Sequence, residues 1–167
     1  MTLELDLDMA IIKIDELIAQ NEIELAKNEL EELLFDAPDF GKAHGYLGWI
    51  FANFYNNNKR AELHFLYSIK FDPEFVGAYI NYSIMLLKSV RVKEAKEILD
   101  GALLRDALDK SLIYEVYADV FEFEGKLSKA VKMLKRALKF SIDPFQQEHL
   151  ITSLKRLKRK RWMLLSF

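Results

Sequence analysis

The chain has 167 residues, 51% of them apolar and 30% charged, with 24 Lys and Arg against 26 Asp and Glu, a formal charge of −2 and no cysteine. That composition supports one folded array and excludes disulfide and thiolate chemistry. No apolar run approaches the ~18 residues of a membrane span, and Met1 to Asp15, with Glu4, Asp6, Asp8 and Asp15, lacks the basic and apolar regions of a secretory signal, so the chain is expected to be cytoplasmic.

In chain order, four units fall at about residues 7–40, 41–75, 76–110 and 111–144, followed by a segment at 145–167. Alanine recurs at one position of each unit, Ala26, Ala61, Ala95 and Ala130, at intervals of 35, 34 and 35 residues. Four residues later stands Leu30, Phe65, Leu99 or Leu134, and three further on Leu33, Ser68, Ala102 or Ala137. A fixed period of this length marks a stacked repeat. Within a period the helical spacing occurs twice, broken by a polar turn. In the third unit Tyr79, Tyr82, Ser83 and Leu86 are followed, after Lys88–Arg91, by Val92, Ala95, Leu99 and Ala102. The fourth repeats this with Tyr114, Tyr117, Ala118 and Phe121, a turn at Glu124-Gly125-Lys126, then Leu127, Ala130, Leu134 and Ala137. Each unit is therefore an antiparallel helix pair. Small residues on the first helix (Gly48, Ser83, Ala118) and on the second (Ala61, Ala95, Ala130) are expected to face one another and allow close approach. Pro38 and Pro73 mark unit ends, where a missing N–H stops one helix before the next.

The final segment, from Pro144, places Leu150, Ile151, Leu154, Leu157, Trp162 and Leu165 on one stripe, which predicts a helix capping the apolar face of the fourth unit. Charge is uneven along the chain: residues 1–40 are net −10 and residues 145–167 net +5. Such an asymmetry bears on partners more than on fold.

This pattern resembles the tetratricopeptide repeat over about residues 7–144, most closely at Tyr46-Leu47-Gly48 with Ala61, Phe65 and Pro73, and at Tyr79–Ser83 with Glu94-Ala95 and Ala102-Leu103. Lys13, Ile14 and Leu33 depart from the pattern, as in a terminal capping unit, and Asn56-Asn57-Asn58 adds one residue to the second turn. The resemblance implies an all-α fold, a right-handed superhelix of four helix pairs plus the C-terminal capping helix. It also implies a non-catalytic scaffold or adaptor whose first helices line a concave groove. The implied lining is Asp8, Ile11 and Asp15; Lys42, Gly45, Trp49 and Asn53; Gly77, Ile80, Ile84 and Lys88; and Leu112, Glu115, Asp119 and Glu122. Trp49, Ile80 and Ile84 make an apolar floor with carboxylates at both ends. Trp49 packing against the neighbouring unit is the competing reading. Chaperone-binding members grip a carboxylate with a Lys, Asn and Arg clamp; Asn81 matches one clamp asparagine, but Gly45, Trp49, Leu112 and Val116 stand at the neighbouring positions, so no clamp forms. The groove suits a protein or peptide with apolar anchors and basic flanks.

No phosphate loop, nucleophile elbow or paired-His zinc motif occurs, so no catalytic residue, cofactor or metal is expected. His44, His64 and His149 read as isolated, and Asn81-Tyr82-Ser83 as a chance acceptor sequence within a helix. The basic tail, Lys155, Arg156, Lys158, Arg159, Lys160 and Arg161, followed by Trp162 to Phe167, reads first as a solvated helix end whose apolar tip tucks back onto the array. It also admits phosphate contacts, from an anionic membrane surface or, less suited to so acidic a chain, from nucleic acid. The third alternative is head-to-tail association of the acidic end with the basic tail of another copy.

Overall fold

The structure, a computed structural model, describes the backbone of residues 2–165 and the side chains of residues 7–164. Glu4, Asp6, Leu165 and Phe167 lie outside the described side chains. Among the described residues the fold is all-α, with nine helices: α1 (Thr2–Ala19), α2 (Ile23–Asp36), α3 (Gly41–Asn53), α4 (Asn58–Phe71), α5 (Val76–Lys88), α6 (Val92–Leu103), α7 (Lys110–Phe123), α8 (Leu127–Phe140) and α9 (Pro144–Leu165). The chain divides into two compact units, residues 1–85 and 86–167, and the division falls inside α5. In stacked repeats each helix packs only on its near neighbours, so no single core spans every repeat.

In the first unit α1 packs on α2, α2 on α3 and α3 on α4. The repeat column forms its centre: Ala26, Leu30, Ala61, Phe65 and Ser68 are fully buried. Burying a Leu or Phe side chain contributes roughly 1.5–3 kcal/mol. At Gly48 the nearest neighbour is a large side chain rather than a small one. Gly48 lies against the ring of Phe65, which a Cβ would meet at 2.7 Å, so a small residue opposes a large one and the ring fills the gap. Phe65 in turn stacks on Tyr82, whose hydroxyl donates to Glu62 at 2.6 Å and ties α5 to α4. The two prolines gain partners from one column. Pro38 O accepts from His44 Nε2 at 3.0 Å, and Pro73 O accepts from Tyr79 Oη at 3.1 Å, each from six residues downstream.

In the second unit α6 packs on α7, α7 on α8 and α8 on α9. Ala95, Leu99, Ala102, Ala130 and Ala137 are fully buried. Ser111 Oγ donates to Ala137 O at 2.9 Å, a carbonyl that also accepts from Ser141 N, and so ties α7 to the end of α8. Asp109 caps α7 by accepting from Ser111 N, and Asp143 caps α9 by accepting from Gln146 N at 2.8 Å, with Pro144 at the first helical position. Leu150 and Leu157 are the buried anchors of α9. Ile151 and Trp162, expected on the same stripe, are exposed, because the face that meets α8 runs through Leu150, Leu154 and Leu157 and passes them by.

The turn inside each helix pair contains one residue with positive φ: Asn21 (61°), Asn56 (49°), Val90 (61°) and Gly125 (72°). Each stands five residues before its alanine, so this column keeps the same intervals of 35, 34 and 35. Glycine and asparagine tolerate that region; a β-branched residue such as Val90 is strained there.

Candidate functional site

The first helix of the second repeat, α3, turns Gly45, Tyr46 and Trp49 to one side. With Asp15 and Ile18 of α1, Phe75 and Asn81, they line a cleft of about 270 Å³ in the first unit. Trp49 is half-buried there and meets Phe54 edge-on at 5.2 Å. Tyr46 stacks on Phe75, with ring centroids 6.2 Å apart and planes within 11°, and its hydroxyl donates to Asp15 Oδ1 at 2.7 Å. Burial and the adjacent Asp15 both push the Tyr46 hydroxyl above its ordinary pKa, so it remains a donor. Phe75 reaches this position because two glycines leave room: a Cβ on Gly45 or Gly77 would meet its ring at 2.5 or 2.8 Å. The walls are thus aromatic and aliphatic, with one carboxylate and one amide at the rim.

Of the expected groove residues, Asp15, Gly45 and Trp49 line this cleft, while Asn53 is exposed and donates from Nδ2 to Trp49 O at 2.9 Å. Ile80 and Ile84 are half-buried and do not line the cleft. Ile11 belongs to the core, and Asp8 pairs with Lys42 at 3.1 Å. Sequence reasoning missed Ile18, Tyr46 and Phe75. Phe75 carried a signal, since it follows Pro73 by two residues as Phe40 follows Pro38.

In the second unit the acidic residues and the basic tail, separate in sequence, meet. Glu115, Asp119 and Glu122 fall at i, i+4 and i+7 on α7 and face α9. Arg156 grips Glu122 with both arms, Nη1 to Oε1 at 2.8 Å and Nη2 to Oε2 at 2.7 Å, and Lys160 Nζ adds a bond to Oε1 at 2.8 Å. These bonds hold the Glu122 carboxyl down at about 2. His149 is not isolated: its Nδ1 lies 3.0 Å from Glu115 Oε1. Asp119 makes no direct ion pair with α9. Desolvation by surrounding protein, then the charges of Glu115 and Glu122, push its carboxyl up to about 6, although the residue still reaches solvent. Lys88, which ends α5, is exposed. Two members of the tail, Arg156 and Lys160, are therefore committed to α7. Lys155, Lys158 and Arg159 are exposed, and Arg161 lines a second cleft of about 390 Å³ with Lys126, Lys129 and Leu164. Of the apolar tip, Trp162 and Leu164 are 69% and 65% exposed, and the side chains of residues 165–167 lie outside the described ones.

His44 and His64 likewise are not isolated but adjoin each other across α3 and α4. Among the described residues, no group of three or more His, Asp or Glu is placed to hold a metal ion, and no helix is long and apolar enough to cross a membrane.

No family model matches the sequence, and no curated protein matches it. Solved structures do. PilF of Pseudomonas aeruginosa superposes with a TM-score of 0.72 at 21% identity, over 95% of this chain and 74% of that one. A tetratricopeptide repeat protein from Parabacteroides merdae gives 0.69 at 20% identity, over 90% of this chain and 58% of that one. The N-terminal domain of stress-induced protein-1 from C. elegans gives 0.57 at 22% identity, over 72% of this chain and 95% of that one. The all-α fold described above is the fold of tetratricopeptide repeat proteins.

Proposed function

We propose that the chain is a non-catalytic interaction scaffold that holds a peptide or helix by an apolar anchor side chain in the cleft beside Trp49, with a basic flank of the ligand at Asp15. The cleft itself carries the reading: about 270 Å³, walled by Ile18, Tyr46, Trp49 and Phe75, with Asp15 and Asn81 at its rim. A half-buried aromatic floor with few, well-placed polar groups is the usual form of an anchor pocket. The Tyr46 bond already fixes the position of Asp15, so an incoming cation meets a carboxylate that needs no reordering. In the second unit Glu122 and Glu115 are engaged by α9, which leaves Asp15 as the carboxylate best placed to receive a basic residue of a ligand.

Panning a random peptide display library on the chain tests this. The expected result is enrichment of peptides with a bulky apolar residue near Lys or Arg. Trp49→Ala is expected to abolish their binding, and Asp15→Lys to select against the basic flank. Enrichment unaffected by either substitution, or no enrichment at all, overturns the reading.

A further inference from the structure

We propose that the C-terminal end of α9 is a docking surface for an anionic lipid bilayer. Helix α9 has 22 residues, and its last turns reach the start of α8, where Arg161 and Leu164 line the second cleft with Gly125 to Lys129. The buried anchors of α9, Leu150 and Leu157, precede these turns, in which the side chains of Trp162, Met163 and Leu164 are exposed. Around them stand Lys158, Arg159 and Arg161, and across the second cleft Lys129. None of these four cations has a carboxylate partner among the described residues. On α7 it is Glu122 that Arg156 and Lys160 hold, so the other cations of the last turns of α9 keep their positive charge.

Apolar tips within a ring of cations fit an interface that is apolar below and anionic above. Indole rings settle at headgroup level, and long Lys and Arg stems lie along apolar surface while their heads reach phosphate. A nucleic acid offers the same phosphates but no apolar layer for Leu164 and Met163. The bilayer therefore accounts for both halves of the surface, the charge and the exposed tip.

The test is co-sedimentation of the full chain with vesicles of pure phosphatidylcholine and of phosphatidylcholine mixed with phosphatidylserine. The expected result is retention on the mixed vesicles alone, lost at high salt. Neutralising two cations, Lys158→Gln with Arg159→Gln, is expected to weaken retention roughly 30-fold, at about one cation's share each. Trp162→Ala with Leu164→Ala is expected to weaken it as well. In a Trp49→Phe chain, fluorescence of Trp162 is expected to shift to the blue on mixed vesicles, which tests the contact with the tip intact. Equal retention on both vesicle types, no retention, an unshifted Trp162 signal, or binding to single-stranded RNA without binding to vesicles overturns the proposal. Because Trp49→Ala leaves α9 untouched, failure of the cleft reading leaves the vesicle result standing, and the reverse holds too.

Discussion

His44 and His64 face each other between α3 and α4 with their Nδ1 atoms 3.0 Å apart, inside a box of the Phe51, Tyr67 and Phe71 rings. A carbonyl only accepts, so His44 Nε2 donates to Pro38 O, and His44 Nδ1 is left to accept from His64 Nδ1–H. This arrangement requires His44 to be neutral, since a protonated ring has no nitrogen lone pair with which to accept. Burial lowers the pKa of His44, and burial followed by the proximity of His44 lowers that of His64 to about 4. Glu31 acts on His64 in the opposite sense and Arg60 in the same sense.

Both folded-state values lie below the ordinary 6.5, so the stability carried by the neutral pair is present above about pH 6.5 and is lost as pH falls towards 4. Thermal melting followed by circular dichroism between pH 7 and pH 4 is expected to show this loss. His64→Asn keeps an amide donor near the place of Nδ1 but cannot titrate, and is expected to shrink the acid loss. A melting profile of the same slope in parent and variant would assign the loss to carboxylates instead.

Val90 occupies the left-handed turn position that Asn21, Asn56 and Gly125 fill in the other pairs, and its side chain is 69% exposed. A β-branched residue there is strained, and its exposure returns little burial. Val90→Asn is expected to stabilise the chain by about 1 kcal/mol, and Val90→Gly by less, because glycine also loosens the unfolded chain. Chemical denaturation measures both; a lower midpoint for Val90→Asn would show that the turn is unstrained.

Asp119 stands between two carboxylates of its own helix, with its pKa raised to about 6. A carboxyl raised on folding binds its proton more tightly in the folded state, so ionisation above pH 6 costs stability and protonation restores it. Asp119→Asn is expected to stabilise the chain at pH 7 by about 0.5–1 kcal/mol, a modest value because the side chain reaches solvent. The gain is expected to vanish below about pH 4, where both chains are neutral at this position. Melting at the two pH values checks it, and an equal gain at both would point to helix propensity rather than charge.

The repeat was legible in the sequence because it is written in local spacing. Ala26, Ala61, Ala95 and Ala130 sit at fixed intervals, and apolar residues three and four apart share one helix face whatever lies opposite. That periodicity alone determined the architecture in kind: helix pairs, polar turns at Glu124–Lys126 and Lys88–Arg91, and a helix after Pro144. Trp49 and Asp15, 34 residues apart, came from what the resemblance to the tetratricopeptide repeat implies about first helices.

What the tertiary structure decided are pairings between helices. Whether His44 meets His64, whether Phe75 slides past Gly45 to wall the Trp49 cleft, and whether Arg156 finds Glu122 depend on how far each helix is rotated about its axis and shifted along it. Side chains bury or expose according to that rotation, which is why Trp162 left the stripe that Leu150 and Leu157 keep. A period in the sequence states which residues share a face. Only packing states which face receives a partner, and the chemistry of the chain lies in those pairings.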